Sequence, residues 1–134
     1  MRILLDTNVL VAAFVSRGVC SVLLEHCSEA HHLVTSDGLL EEYREKLSGK
    51  FRMSAEAADE RIAFLRSIIQ LVPTEPLPAP VCRDPDDDLV LATAVAGECG
   101  CIITGDNDLL VLKQYAGIDI IAPGDFARYE RETG

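Results

Sequence analysis

The sequence predicts an α/β fold whose parallel sheet carries acidic side chains at the carboxyl ends of its strands. Two apolar segments, residues 3–5 and 101–104, have the length of buried strands, and Asp6 and Asp106 follow them closely. The apolar residues 9–15 after the first segment are typical of a helix packed on a sheet. Because ligands in parallel α/β sheets bind beyond the carboxyl ends of the strands, we expect both Asp side chains in one crevice.

The chain is organised around residues 84–108. Four of the first five residues in this stretch are Asp, and Glu98 is the only charged residue between Asp88 and Asp106. This pattern predicts a buried helix that begins in acid, then a turn and a strand that ends at Asp106 and Asp108. Helix caps and turns account for one or two of these Asp residues, but they do not explain three consecutive like charges.

The other segments fit the same alternation of strands and helices. Caps and apolar spacing predict a helix over 21–29, a strand over 33–35, a helix after Ser36, a second helix after Ser54, an edge strand at 71–72, a proline-rich connector over 73–80, a short helix over 109–113, a strand over 118–121 and a C-terminal helix from Phe126. The chain of 134 residues therefore predicts one domain, residues 1–134.

Glu42 is the acidic residue of the helix after Ser36 that could reach a crevice. At about 100° per residue, Glu45 points away from the apolar stripe and Glu42 lies closest to its border. The alternative is a solvated Glu42 that pairs with Lys46 four residues later. Spacing alone leaves both interpretations open.

Composition limits the location of the protein and its possible partners. Apolar runs fall short of the roughly 18 residues that a membrane span requires, and Asp6 comes too early for a signal peptide, so we expect a cytoplasmic protein with no membrane partner. The five Cys include no C-x-x-C pair, which argues against a zinc ribbon.

The net charge of −10 argues against a grip on nucleic acid by the whole surface. Six of the twelve basic residues fall between Arg44 and Arg66. Lys50 and Arg52 in this segment are candidate phosphate contacts, although such charges are usually only solvated.

The candidate site residues are oxygen donors and favour a hard cation. Clustered carboxylates without His or Cys favour Mg²⁺ or Mn²⁺, and without a cation they raise one another's pKa. Such a site suits hydrolysis of phosphodiesters, because a bound cation lowers the pKa of water and stabilises charge on phosphate oxygens. The candidates are Asp6, Glu42, Asp87 or Asp88, Asp106 and Asp108, with neutral Asn8 as an orienting group.

Two other classes of acidic α/β protein fit less well. Phosphatases of the haloacid-dehalogenase type begin with Asp-x-Asp, whereas Asn8 stands at the second position here. These phosphatases and response-regulator receivers also need a Lys near a strand end. Lys113 is the only Lys after Lys50, and it falls within a predicted helix.

Nearly the whole chain resembles the PIN-domain ribonucleases, in particular the VapC-like toxin components of toxin–antitoxin pairs. Each motif is short, but their order and spacing together are specific. They are Leu5-Asp6-Thr7-Asn8-Val9-Leu10, the segment 36–47 with Glu42, Cys82-Arg83-Asp84-Pro85-Asp86-Asp87-Asp88, Ala92 and Ala94, Thr104-Gly105-Asp106-Asn107-Asp108-Leu109-Leu110 and Pro123-Gly124-Asp125-Phe126.

The resemblance implies a three-layer fold with a central parallel sheet of four to five strands and helices on both faces. It also implies a Mg²⁺ or Mn²⁺ centre. The implied catalytic residues are Asp6, Glu42, Asp87 and Asp106, the implied metal ligands are Asp6, Asp87, Asp106 and Asp108, and the supporting residues are Asn8, Thr104 and Asp88. Asp87 is preferred over Asp88 because it stands seven residues before Ala94, as in the family pattern.

The activity implied by the resemblance is metal-dependent endonucleolytic hydrolysis of RNA. The implied partners are an RNA substrate, a small antitoxin whose Arg or Lys enters the acidic crevice, and a second copy of the chain in a homodimer. Two alternatives remain at this stage. One is a PIN nuclease for housekeeping RNA processing, and the other is a non-catalytic metal-binding interaction module.

Overall fold

Strands and helices alternate along the chain in the computed structural model, which describes residues 1–133. The elements are β1 (Arg2–Leu5), α1 (Thr7–Val15), α2 (Val19–Ala30), β2 (His32–Thr35), α3 (Asp37–Gly49), α4 (Ala55–Ile68), β3 (Gln70–Leu71), α5 (Pro85–Ala96), β4 (Cys101–Ile103), α6 (Asn107–Leu110), β5 (Gln114–Tyr115), β6 (Ile118–Ile121), a 3₁₀ turn (Pro123–Asp125) and α7 (Phe126–Thr133).

The sheet has the strand order β3-β2-β1-β4-β6-β5, with β1 near its centre. The first five strands in this order, which end with β6, are parallel to their neighbours. This confirms the predicted α/β architecture. The sixth strand, β5, was not predicted and runs antiparallel to β6. Ala116 and Gly117 both have positive φ and form the two-residue turn of this hairpin. The sequence signal for this strand is weak, because Gln114 and Tyr115 show no alternation of apolar and polar residues. The helix before it, predicted to reach residue 113, ends at Leu110.

Buried side chains fill both faces of the sheet, as a three-layer fold requires. Alternate residues of β1 point to opposite faces: Ile3 and Leu5 pack with residues of α1 to α4 and α7, while Leu4 packs with α5 and α6. Tyr43 and Phe126 are among the largest fully buried side chains of the first face. The sheet is therefore a rigid support for the residues at its carboxyl edge.

Helix α5 follows the predicted acidic start closely. Asp84 caps it, Pro85 is its first residue, and its middle, including Leu91 and Ala94, is buried. The predicted burial of this helix ends at Ala94, because Val95 is 44% exposed. Gly97 then lets the chain pass β2, since a Cβ there would lie 2.5 Å from Val34 Cγ1.

Within residues 1–133, no helix is by itself long and apolar enough to cross a membrane. Helices α1 and α2 satisfy the length and hydropathy requirement only as a pair, and this pair is bent by 110°.

Candidate metal centre

Asp6 and Asp106 are brought together by the register of the two central strands. Leu5 of β1 pairs with Ile103 of β4, and the Asp6 N–H donates to the Ile103 carbonyl at 3.0 Å. Both acidic side chains therefore leave the same edge of the sheet. They line one crevice of about 250 Å³, as expected from the sequence.

Thr104 connects these two acids. Its hydroxyl donates to Asp6 Oδ2 at 2.7 Å and accepts from the Asp106 N–H at 3.0 Å. Thr104 is fully buried, so the link is shielded from water. The supporting residue predicted from the sequence thus fixes the position of one carboxylate and the backbone of the other.

Asp6 is buried, with 5% of its surface exposed, and it also caps α1 by accepting from the Thr7 N–H at 2.7 Å. Burial raises the pKa of Asp6, opposed by the hydrogen bonds from Thr104 and Thr7 and by the charge of Lys46. Because both oxygens of Asp6 accept hydrogen bonds, its carboxylate is held in one orientation and is preorganised to bind a cation.

Glu42 and Asp87 reach the crevice from the helices on opposite sides of it. The Ser36 and Thr93 hydroxyls are 2.9 Å apart and join the start of α3 to the middle of α5. The residues that line the crevice are Asp6, Asn8, Glu42, Lys46, Asp84, Asp86, Asp87, Val90 and Asp106. All four carboxylates predicted to be catalytic therefore share one crevice.

The charge in this crevice is costly in the absence of a cation. Burial, a hydrogen bond with Asp106 and the charges of Asp106, Asp84 and Asp6 raise the pKa of Asp87 to about 7. Burial also raises the pKa of Glu42, opposed by its contact with Lys46. Mutual repulsion of this kind is relieved when a cation binds.

Asp87 and Asp88 differ in what they contact. Asp88 accepts from the N–H groups of Val81 and Cys82 at 3.1 and 2.8 Å, and these bonds hold the connector against α5. The Cys82 N–H lowers the pKa of Asp88 more than any other contact. Asp87, rotated by one helix position, lines the crevice instead. The geometry favours Asp87 as the ligand and gives Asp88 a structural task.

Asp108 lies at the margin of the cluster. One carboxylate oxygen each of Asp87, Asp106 and Asp108 lie within 4.8 Å of one another. However, Asp108 is exposed, pairs with Arg83 at 2.9 Å and does not line the crevice. Its N–H donates to Asp106 Oδ1 at 2.9 Å, so its backbone orients the acid that does line it.

Lys46 also lines the crevice, although its spacing in the sequence predicted it only as a partner of Glu42. Its Nζ lies 3.1 Å from Glu42 Oε1 and 2.7 Å from Asn8 Oδ1, inside the crevice. Glu42 thus lines the crevice and also pairs with Lys46, but it is not a solvated charge, because only 21% of its side chain is exposed. The signal was the spacing of four residues, which puts the two side chains on one helix face.

Lys50 and Arg52 lie beyond the residues that line the crevice, at the end of α3 and just after it. Two of the surrounding basic residues are paired with acids: Arg44 with Asp59 and Arg66 with Asp37.

The family model described as the PIN domain matches residues 2–108. The chain belongs to the PIN domain family. No curated protein matches this PIN domain.

Two solved structures are similar in fold. VapBC2 from Rickettsia felis, bound to a DNA fragment from its promoter, superposes with a TM-score of 0.64 and 14% identity, over 91% of this chain and 98% of the other. VapBC-1 from nontypeable Haemophilus influenzae gives 0.63 and 17%, over 92% and 99%. At these identities the likeness shows the fold.

The donor set of this PIN domain suits a divalent cation. The crevice offers carboxylate oxygens with no His or Cys among the residues that line it, which is the chemistry of Mg²⁺ and Mn²⁺ sites. The raised pKa of Asp87 marks the same place as one where negative charge is in excess. Asp87 and Asp106 line the crevice and present carboxylate oxygens within 4.8 Å of each other, and Asp6 lines the same crevice, so these three side chains could hold an ion.

Proposed function

We propose that this PIN domain, residues 1–134, is a Mg²⁺- or Mn²⁺-dependent endoribonuclease and the toxin of a toxin–antitoxin pair. The observation that supports the activity most strongly is the convergence of Asp6, Glu42, Asp87 and Asp106 on one crevice at the carboxyl edge of the sheet. Four carboxylates would repel one another there unless a cation compensated them.

The roles of the residues follow from their contacts. Asp6 and Asp106 hold the ion from the two central strands, with Thr104 keeping them in place. Asp87 and Glu42 complete the negative charge from the flanking helices. The ion, once bound, supplies Lewis-acid activation of water and stabilises charge on the phosphate. Asn8, held by Lys46, is placed to orient a ligand at the rim.

RNA must approach a protein whose net charge is −10. Lys46 is the only basic residue among those lining the crevice, and it is half-buried. Lys50 and Arg52 follow Lys46 in the sequence and are proposed as weak contacts to the RNA backbone. Binding would therefore depend on the bound cation and on few basic groups, so we expect a small salt dependence.

The partner proposed for this chain is a small antitoxin protein. Both similar structures are VapBC proteins, and the acidic crevice would accept a bidentate Arg or a Lys from such a partner. A cytoplasmic location and a homodimer are part of the same proposal. Co-expression with the product of the neighbouring reading frame, followed by a pull-down, tests the antitoxin. An isolated gene that is harmless when overexpressed would favour RNA processing.

A single-turnover RNA cleavage assay tests the activity. We expect cleavage with Mn²⁺, none in EDTA and none from Asp6→Asn, which retains the cap of α1 but loses the charge. Glu45→Gln, on the exposed face of α3, is the matched control and should cleave as the wild type does. Cleavage that persists in EDTA would refute the metal-dependent proposal. A folded wild type that binds Mn²⁺ but never cleaves RNA would favour the alternative of a non-catalytic interaction module.

A further inference from the structure

Lys46 places a positive charge inside a crevice that otherwise collects negative charge. Its ammonium group contacts Asn8 at 2.7 Å and Glu42 at 3.1 Å, and 34% of its side chain is exposed. Among the residues that line the crevice it is the only basic one. Asn8 belongs to α1 and Glu42 to α3, so the ammonium joins two elements at the rim.

Lys46 contacts the side-chain oxygens of two residues that line the crevice, Asn8 and Glu42. Asn8 Oδ1 and Glu42 Oε1 converge on the ammonium, whereas Asp87 and Asp106 present carboxylate oxygens that lie within 4.8 Å of each other. Asp6 lines the same crevice, where the charge of Lys46 lowers its pKa and the charge of Asp106 raises it. The crevice thus combines a cation supplied by the chain, at Asn8 and Glu42, with a separate pair of close carboxylates, Asp87 and Asp106.

Two-metal phosphodiesterases hold their ions about 3.5–4 Å apart and need oxygen ligands for each ion. In this crevice the ligands of a second ion would be Glu42 and Asn8, and both are bonded to Lys46. An ammonium and a divalent cation cannot share those oxygens, because two positive charges within a few ångströms of each other repel strongly.

We propose that Lys46 occupies the position of a second metal ion, so that this crevice binds one divalent cation, held by Asp6, Asp87 and Asp106. The inference rests on the proposed function only in that the crevice binds a divalent cation. Lys46 is then a positioning residue: it neutralises Glu42, fixes Asn8 and sets the metal count of the site.

The test is to count the Mn²⁺ ions bound by the RNA-free protein, by titration calorimetry and electron paramagnetic resonance. Wild type should bind one ion and give the spectrum of an isolated Mn²⁺. Lys46→Met, which keeps the length of the side chain without its charge, should bind a second ion and give the spectrum of a coupled pair. Lys46→Arg should stay at one ion. Lys50→Met is the matched control, one turn further along and outside the crevice, and should also stay at one.

The outcomes separate this inference from the proposed function. A coupled pair of ions in wild type, or a single ion in folded Lys46→Met at saturating Mn²⁺, would overturn the inference and leave the nuclease proposal standing. A folded wild type that binds no Mn²⁺ would overturn both. Thermal melts of each variant in EDTA establish that the proteins are folded, so a count of zero cannot be attributed to misfolding.

Discussion

Thr104 and Asp6 meet across the two central strands: the Thr104 hydroxyl donates to Asp6 Oδ2 at 2.7 Å, and both residues are buried. This bond fixes Asp6, which is the buried carboxylate among the residues that line the crevice. The same hydroxyl accepts from the Asp106 N–H. Removing it disturbs two acids at once, which makes Thr104 a sensitive place to test the centre.

Thr104→Val removes the hydroxyl and keeps the shape of the side chain. The free energy of unfolding should fall by about 1.5–3 kcal/mol, because a buried hydrogen bond to a charged group is lost. The affinity for Mn²⁺ should fall as well, since Asp6 is no longer held in place. Urea unfolding and a Mn²⁺ titration measure both effects. Thr104→Ser retains the hydroxyl and should recover most of the affinity; an unchanged affinity in Thr104→Val would contradict the account.

Asp106→Asn separates the site from the scaffold. Asn can still cap α6 and accept from the Asp108 N–H, so local structure should be retained. Loss of one charge beside Asp87 and Asp6 should raise the stability of the metal-free protein by on the order of 1 kcal/mol. Mn²⁺ should then stabilise the variant less than wild type. Thermal melts in EDTA and in millimolar Mn²⁺ measure this. A variant less stable in EDTA, yet equally stabilised by Mn²⁺, would place Asp106 outside the site.

The raised pKa of Asp87 predicts how stability depends on pH without metal. Its pKa of about 7 in the folded protein lies above the value of about 4 for an unfolded Asp. The folded state therefore keeps a proton that the unfolded chain has released, so metal-free stability should fall as the pH rises from about 4 to about 7. Urea unfolding in EDTA at several pH values tests this. Asp87→Asn should flatten the decline, and an equally steep decline in that variant would assign it to another group.

Asp87 and Asp88 should respond differently to the same substitution. Asp88→Asn weakens the acceptors for the Val81 and Cys82 N–H groups, so it should lower stability but leave the affinity for Mn²⁺ unchanged. Asp87→Asn should do the reverse in EDTA, raising stability while removing most of the affinity. Parallel melts and Mn²⁺ titrations compare the two. The assignment would be wrong if Asp88→Asn lost the metal and Asp87→Asn kept it.

Much of the fold follows from local signals in the sequence. The caps at Ser36, Ser54 and Asp84 and the apolar strands near Asp6 and Asp106 predicted helices and strands that the structure contains. The antiparallel strand β5 was not predicted, because its two residues, one polar and one aromatic, are too few to show a periodicity. Its turn also requires a positive φ at Ala116, which the sequence does not indicate.

The site was predictable where a strand end fixes a residue, and less so where a helix rotation decides. Asp6 and Asp106 follow strands, so topology alone puts them in one crevice. The resemblance preferred Asp87 over Asp88, but the physical reason appears only in the connector, whose N–H groups bind Asp88. In the crevice, Lys46 contacts Asn8 of another helix, and no local sequence pattern shows that contact.

The central claim is that RNA cleavage depends on a divalent cation bound in the acidic crevice. The most direct measurement is a Mn²⁺ titration of EDTA-treated protein, in which bound Mn²⁺ and the single-turnover rate of RNA cleavage are followed in the same samples. The account predicts that the rate rises in proportion to the ion bound to wild type and that Asp106→Asn neither binds tightly nor cleaves. Cleavage before Mn²⁺ is added, or an equal rate in Asp106→Asn, would contradict it.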